Sequence, residues 1–169
     1  MSEQETLLFN FTSQDDAALW RSIDDIVMGG VSQSTLVVTT AGTAIFEGYV
    51  SLENNGGFAS VRTVQRDYEL DDCKGMLLRV KGDGKIYKFR IRTDKRSDGV
   101  TYEHPFQTEK GNWTVHQLPF SDFVPAFRGQ ILRDQPPLQP NGIQQFGLMI
   151  SNRQEGHFSL EIDSIKTYK

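Results

Sequence analysis

The sequence predicts an all-β chain, an antiparallel β-sandwich with one short helix near the N-terminus. Three observations carry this. Apolar residues recur with period two over most of the chain, as in half-buried strands. The strand-like runs are short and are separated by clusters of Gly, Asn, Asp and Pro, as in hairpin-rich sandwiches. The 169 residues include 11 phenylalanines, bulk that a packed core uses and a disordered chain lacks. A chain of this length buries about 70 % of its unfolded surface, so it needs neither disulfide nor metal to fold. One domain over 1–169 is expected, with its core between residues 7 and 168.

The elements follow in order. Leu7 to Phe11 opens as a strand. Ser13 and Asp16 have the spacing of a capping box, and Asp15 and Asp16 would sit in the first turn of a helix running to Trp20. Asp24 to Ser32 breaks the pattern at Gly29-Gly30. Ser34–Thr40 and Thr43–Leu52 are strands, Asn54-Asn55-Gly56-Gly57 is a turn, and Phe58–Val64 is a strand. Between Met76 and Arg92 the pattern predicts a hairpin. Leu78 and Val80 alternate with Arg79 and Lys81, Gly82-Asp83-Gly84 turns, and Tyr87, Phe89 and Ile91 alternate with Lys88, Arg90 and Arg92. Such a hairpin would carry five cations on one face, although like charges opposite each other are destabilising. Trp113–Leu118 is a strand, Pro119-Phe120-Ser121 a turn, and Asp122–Phe127 an irregular piece. Residues 128–142, with Gly129, Pro136, Pro137, Pro140 and Gly142, read as a surface loop. Gln144–Ser151 and His157–Tyr168 are the closing strands.

Charge is uneven. The net charge is −4, but residues 1–72 balance at −9, residues 73–96 at +7 and residues 97–169 at −2. An acidic chain is a poor nucleic-acid binder, so no nucleic-acid partner is expected. The basic segment suits an acidic partner or anionic lipid headgroups, which makes peripheral membrane association one reading. The other is that acidic and basic segments face each other within the fold. Cys73 is the single cysteine and its neighbours Asp71 and Asp72 disfavour a thiolate. No run reaches the roughly 18 apolar residues of a spanning helix. The start MSEQETLLFNF holds Glu3 and Glu5 and no basic residue, unlike a signal or transit peptide, so a cytoplasmic location is expected.

No catalytic constellation emerges. His104, His116 and His157 lack metal-ligand spacing, and no Gly-x-Ser-x-Gly elbow is present. The acid pairs Asp15-Asp16, Asp24-Asp25 and Asp71-Asp72 would point to opposite faces of a strand. Gly82-Asp83-Gly84 runs into strand alternation, not the third glycine and helix of a dinucleotide site. Two loops invite a binding reading. Asp24 and Asp25 lead into Met28-Gly29-Gly30-Val31-Ser32, and Asn54-Asn55-Gly56-Gly57-Phe58 repeats the chemistry of polar side chains beside paired glycines.

Five blocks then become specific: WRSIDDIVMGGVS (Trp20–Ser32), FEGYVSLENNGGFASVR (Phe46–Arg62), KGDGKIYKFRIR (Lys81–Arg92), GNWTVHQLPFSDF (Gly111–Phe123) and QFGLMISNRQEGHFSLEIDSIKTY (Gln145–Tyr168). In this order they resemble the complex I intermediate-associated protein family, from about Leu7 to Tyr168. The resemblance implies a jelly-roll sandwich of the galactose-binding-domain-like type. It implies a non-enzymatic assembly factor whose partners are subunits of a membrane redox complex, respiratory complex I-like or a photosystem. Without the mitochondrial relatives' transit peptide, the chain is similar to a stand-alone bacterial or cyanobacterial version. On this reading Asp24, Asp25, Gly29, Gly30 and Ser32, with Asn54, Asn55, Gly56 and Arg62, form the binding loop surface. Lys88, Arg90 and Arg92 add electrostatic complementarity. The alternative is a carbohydrate-binding module, with Trp113, Tyr87 and Tyr102 stacking on a small sugar. A third reading places a structural calcium near Asp163. No other cofactor and no catalytic residue is implied.

Overall fold

The structure is a computed structural model, described here for residues 5–12, 18–23, 32–53, 57–70, 72–93, 100–127, 130–133, 135–151 and 153–169. It is all-β, with two antiparallel sheets facing each other. One sheet has six strands: β1 (Glu5–Phe9), β3 (Gln33–Val38), β4 (Ala44–Val50), β6 (Gly75–Lys81), β9 (Trp113–Pro119) and β13 (Gly156–Tyr168). Their order is β3-β4-β13-β6-β9, with β1 paired to the last residues of β13. The other sheet has seven strands: β2 (Trp20–Ser22), β5 (Ala59–Thr63), β7 (Ile86–Arg92), β8 (Thr101–Gln107), β10 (Val124–Phe127), β11 (Gln130–Ile131) and β12 (Gln145–Ile150). Their order is β11-β10-β8-β7-β12-β5-β2. Short 3-10 turns at Phe120–Asp122 and Pro140–Gly142 complete the described elements.

The short N-terminal helix finds no support: no α-helix stands among the described elements. Residues 13–17 lie outside the described residues, and Trp20 opens β2. Trp20 is drawn into the core, where its ring meets Phe9 edge-on at 5.3 Å. That contact buries apolar area that an exposed turn would leave in water.

The core lies between the sheets and follows from the alternation. Met76, Leu78 and Val80 from β6 and Tyr87, Phe89 and Ile91 from β7 are all fully buried. Phe146 on β12 anchors an aromatic group, with ring centroids 4.7 Å from Tyr68, 5.8 Å from Phe89 and 6.2 Å from Phe9.

The predicted hairpin between Met76 and Arg92 is corrected. β6 pairs with β13 and β9, while β7 pairs with β8 and β12, so the two strands belong to different sheets. Gly82-Asp83-Gly84 is a crossover between the layers. Asp83 holds it: Oδ2 accepts from the Ser159 amide on β13 at 2.9 Å and from the Tyr87 hydroxyl on β7 at 3.0 Å, while Oδ1 accepts from the Lys85 amide at 3.1 Å. Burial and the Asp83 carboxylate push the Tyr87 phenol well above its usual range. Gly82 is needed because a Cβ there would lie 2.1 Å from the Thr108 side chain. The five cations are therefore split between two outer faces.

Four strands escape a reading by periodicity: β2, β8, β11, and β10, which runs through Val124–Phe127 where an irregular piece is expected. β2 is only three residues long. β8 carries Pro105 in mid-strand, which usually demotes a run. β10 flanks β8 only from Thr101 to Glu103, so Pro105 sits where β8 is an edge. Within 130–142, β11 and a 3-10 turn add regular structure, and Leu138 is buried.

His116 on β9 lies beside Phe106, ring centroids 5.2 Å apart, with its Nε2 2.9 Å from Thr114 Oγ1. Burial lowers its pKa below 6.5; Glu109 opposes this and His104 adds to it. The folded state thus binds the His116 proton less tightly than the unfolded chain. The stability linked to this group is complete above pH 6.5 and is lost as pH falls below it. His116→Phe is expected to flatten that acid limb, read as urea midpoints on either side of pH 6.5.

Candidate functional site

The outer face of the seven-stranded sheet gathers most of the cationic residues singled out by sequence. In β7, Tyr87, Phe89 and Ile91 turn inward, so Lys88, Arg90 and Arg92 turn outward. In β5, Ala59 and Val61 are core residues, so Arg62 is outward too. Register then builds a row across five strands: Arg21 opposite Arg62, Arg62 opposite Gly147, Gly147 opposite Arg90, and Arg90 opposite Glu103. With strands about 4.8 Å apart, these residues are direct cross-strand neighbours.

Glu103 is buried and serves two cations. Its Oε1 lies 3.5 Å from Lys88 Nζ and its Oε2 lies 3.4 Å from Arg90 Nε. The second contact is an ion pair; Arg90 Nε is not aligned on the carboxylate for a hydrogen bond. Burial lowers the Arg90 pKa, Glu103 opposes that, and Arg92 adds to it. Arg62 is half-buried and makes no ion pair with the described residues. Burial first, and then Arg92, Arg90 and Arg21, bring its pKa down to about 10 from 12.5. Gly147, Gln145 and Ser60 complete a shallow cleft with Arg62, Arg90 and Arg92. Gln145 donates from Nε2 to the Thr63 carbonyl at 2.7 Å.

A guanidinium held this way costs stability. Below pH 10 both folded and unfolded chains keep the Arg62 proton, and the folded state bears the repulsion; between 10 and 12.5 the unfolded chain binds more protons, so stability rises with pH. Arg62→Gln is therefore expected to stabilise the protein at neutral pH. Allowing for solvent screening of its exposed half, the gain is about 1 kcal/mol, a rise in Tm of about 2–4 °C by calorimetry.

The other sequence-derived residues are placed as follows. Ser32 is buried and braces β3 to the end of β4: its Oγ accepts from the Ser51 amide at 2.9 Å and donates to the Ser51 carbonyl at 3.3 Å. Asp24, Asp25, Gly29, Gly30, Asn54, Asn55 and Gly56 lie outside the described residues. The three aromatics named for sugar stacking do not form a platform. Tyr87 is in the core, and Tyr102 is buried with its hydroxyl donating to the Pro136 carbonyl at 2.6 Å. Trp113 stands on the opposite sheet, its ring covered by Arg79 at 4.6 Å and Lys81 at 5.2 Å. Those two cations are also paired, Arg79 with Asp163 at 3.5 Å and Lys81 with Glu161 at 3.4 Å. Asp163, the calcium candidate, is thus turned to a guanidinium. Among the described residues no group of three or more His, Cys, Asp or Glu side chains is placed to hold a metal ion.

A larger concavity than this cleft lies elsewhere, on the six-stranded sheet, as a trough open to solvent. It is lined by Gln33, Thr35, Glu47, Tyr49, Lys110 and His157 among others. Its Asp83 is already spent on the crossover, and Tyr49 meets His157 edge-on at 5.2 Å. Electrostatic strain singles out the arginine face and not the trough.

Sequence reasoning found Arg62, Lys88, Arg90 and Arg92 but missed Arg21, Glu103 and Gly147. A glycine inside the run QFGLMI signals close approach or missing bulk in a strand, and this signal was available. Glu103 carried none, since only the pairing of β7 with β8 sets it opposite Arg90.

Residues 9–162 match the family model described as complex I intermediate-associated protein 30 (CIA30). The chain is 28 % identical to the probable complex I intermediate-associated protein 30, mitochondrial, of Caenorhabditis elegans, over 95 % of this chain and 53 % of that protein. An uncharacterized protein of Schizosaccharomyces pombe is 32 % identical over 93 % of this chain and 79 % of its own length. The chain thus spans about half the length of the nematode relative. Among solved structures, a family 11 carbohydrate-binding module from Clostridium thermocellum superposes with a TM-score of 0.71 at 18 % identity, over 96 % of this chain and 94 % of that one. At that identity the likeness concerns the fold. No helix among the described residues is long and apolar enough to cross a membrane. The match over 9–162 spans nearly the whole sandwich, and on it the chain belongs to the complex I intermediate-associated protein 30 family.

Proposed function

We propose that this protein is a non-enzymatic assembly factor that binds protein subunits during biogenesis of a membrane redox complex. It would do so with the arginine-lined outer face of its seven-stranded sheet, working in the cytoplasm and peripherally at the membrane. The observation that carries the reading is a cluster of guanidinia, kept at a cost to stability, on a domain of this family. Relatives bear the name of complex I intermediates, which supports a respiratory-type complex as client. Guanidinia stay protonated near neutral pH and so neither give nor take protons, which supports binding over acid–base catalysis.

The test is affinity capture from mildly solubilised membranes of the source cells, with wild type and an Arg62→Glu/Arg90→Glu variant. Recovery of complex subunits by wild type, reduced at least tenfold in the variant, is expected. Recovery of no such subunits by wild type contradicts the proposal.

The carbohydrate alternative draws on the likeness in fold to a carbohydrate-binding module. The outward positions of β5, β7, β8 and β12 hold no aromatic side chain among the described residues, so that face offers no stacking platform. Calorimetric titration with β-glucan oligosaccharides is expected to show no heat of binding; saturable heat would favour the alternative.

A further inference from the structure

We infer that β9 is a self-association edge, along which two copies of this chain pair antiparallel about a two-fold axis at Val115 and merge their six-stranded sheets. The inference is independent of the arginine face, which lies on the other sheet.

Three observations carry it. First, the edge is open. β9 ends its sheet and pairs there with β6 alone. The Phe120 amide donates to the Lys74 carbonyl at 2.9 Å, one residue outside the Gly75–Pro119 pair. Gly75–Pro119 is therefore a non-hydrogen-bonded pair, and by alternation so are the pairs made by Gln117, Val115 and Trp113. These three residues turn N–H and C=O away from β6, and no described residue bonds to them on that side. Such a row is a template for another strand.

Second, β9 lacks the usual guards of an edge. Its seven residues, WTVHQLP, include no Lys, Arg, Asp or Glu, its register with β6 is unbroken, and its proline stands last. Val115 is 63 % exposed. Other edges are protected. Beyond Glu103, where β10 stops flanking it, β8 carries Pro105, whose carbonyl lies 2.7 Å from His104 Nδ1. On β3 the Ser34 carbonyl accepts from the Ser22 hydroxyl at 2.8 Å. β11 is only two residues long.

Third, the edge complements itself. With Val115 facing its own copy, Trp113 faces Gln117 on both sides of the axis, and the three pairs exchange about six backbone hydrogen bonds. No like charges meet along this line. Antiparallel pairing also sets the start of one β9 against the end of the other. Lys110, just before β9, and Asp122, just after it, are exposed, and neither has an ion-pair partner among the described residues. In this register Lys110 falls two residues from Asp122 of the second copy, a diagonal that a lysine side chain spans. Glu109, exposed at the same end, already accepts from the Asn112 side-chain amide at 3.4 Å. An extended segment of a different protein is the other occupant of an open edge. A second copy brings Val115 to Val115 and Asp122 to Lys110 in one register, at both ends, and the observations favour it. A single line of strand pairing is a small interface, so the association is weak.

The test is sedimentation velocity of the whole protein over about 5–1000 µM, a range suited to small interfaces, in wild type, Val115→Pro, Val115→Lys and Val37→Lys. Val115→Pro removes the central amide, and Val115→Lys sets two cations face to face. Val37 is exposed on β3, at the far side of the same sheet, so its variant reports a general surface effect. Wild type is expected to pass from monomer to dimer as concentration rises. Val115→Pro should abolish the dimer, Val115→Lys should weaken it at least tenfold, and Val37→Lys should change it by less than twofold. Where Val115→Pro fails to fold, Val115→Lys decides, since its side chain is already in solvent. A wild type that stays monomeric overturns the inference, as does a dimer that persists in Val115→Lys or weakens equally in Val37→Lys. A monomeric wild type whose capture of membrane subunits falls in Val115→Lys gives the edge to a client segment and likewise overturns the pairing of copies.

Discussion

Glu103→Gln is expected to destabilise the protein by about 3 kcal/mol, the usual cost of removing one partner of a buried ion pair. The Glu103 side chain is only 10 % exposed, and its partners Lys88 and Arg90 are 21 % and 18 % exposed, so solvent screens little of the loss. The substitution strips the row of its one carboxylate and leaves Arg90 beside Arg62 and Arg92 without it. Thermal unfolding should show Tm lower by about 6–12 °C. Unchanged stability would mean that Glu103 holds nothing in place.

Asp83→Ala is expected to cost about 3–4 kcal/mol, since a buried donor left unsatisfied costs about 1–3 kcal/mol and this carboxylate serves several. It removes the acceptor of the Tyr87 hydroxyl, in a side chain with no exposed surface, and of the Ser159 amide on the facing sheet. Asp83→Asn keeps an acceptor oxygen and the shape, and should retain part of the loss. Denaturant midpoints of the two variants measure how far this crossover ties the layers together. Equal, small effects would place the tie elsewhere.

These two residues mark the boundary of what is legible in the sequence. The faces of β6 and β7 are legible, because alternation in the two strands dictates which side chains enter the core. Their partners are not, because alternation is the same whether a strand pairs with its neighbour in sequence or with one far along the chain. Gly82-Asp83-Gly84 has the composition of a hairpin turn, yet Asp83 bonds to Ser159, 76 residues away. The charge site shows the same division. Arg62, Lys88, Arg90 and Arg92 stand out as cations within strand patterns. Their convergence depends on β12 lying between β5 and β7, a long-range pairing that no local pattern encodes. Family resemblance reached further than periodicity. It spans the sandwich from strand to strand, over residues 9–162, and identifies the family before any single side chain does.

On the proposed reading, the outer face of the seven-stranded sheet meets the client. Met149 lies on that face two residues beyond Gly147 and opposite Lys88. Gln117 is exposed on the six-stranded sheet. A photo-crosslinking amino acid placed at each position in turn, in cells, followed by identification of the adducts, decides between the faces. Adducts with subunits of a membrane redox complex from position 149 and none from 117 are expected. Adducts from position 117 with none from 149 would place the client on the six-stranded sheet instead.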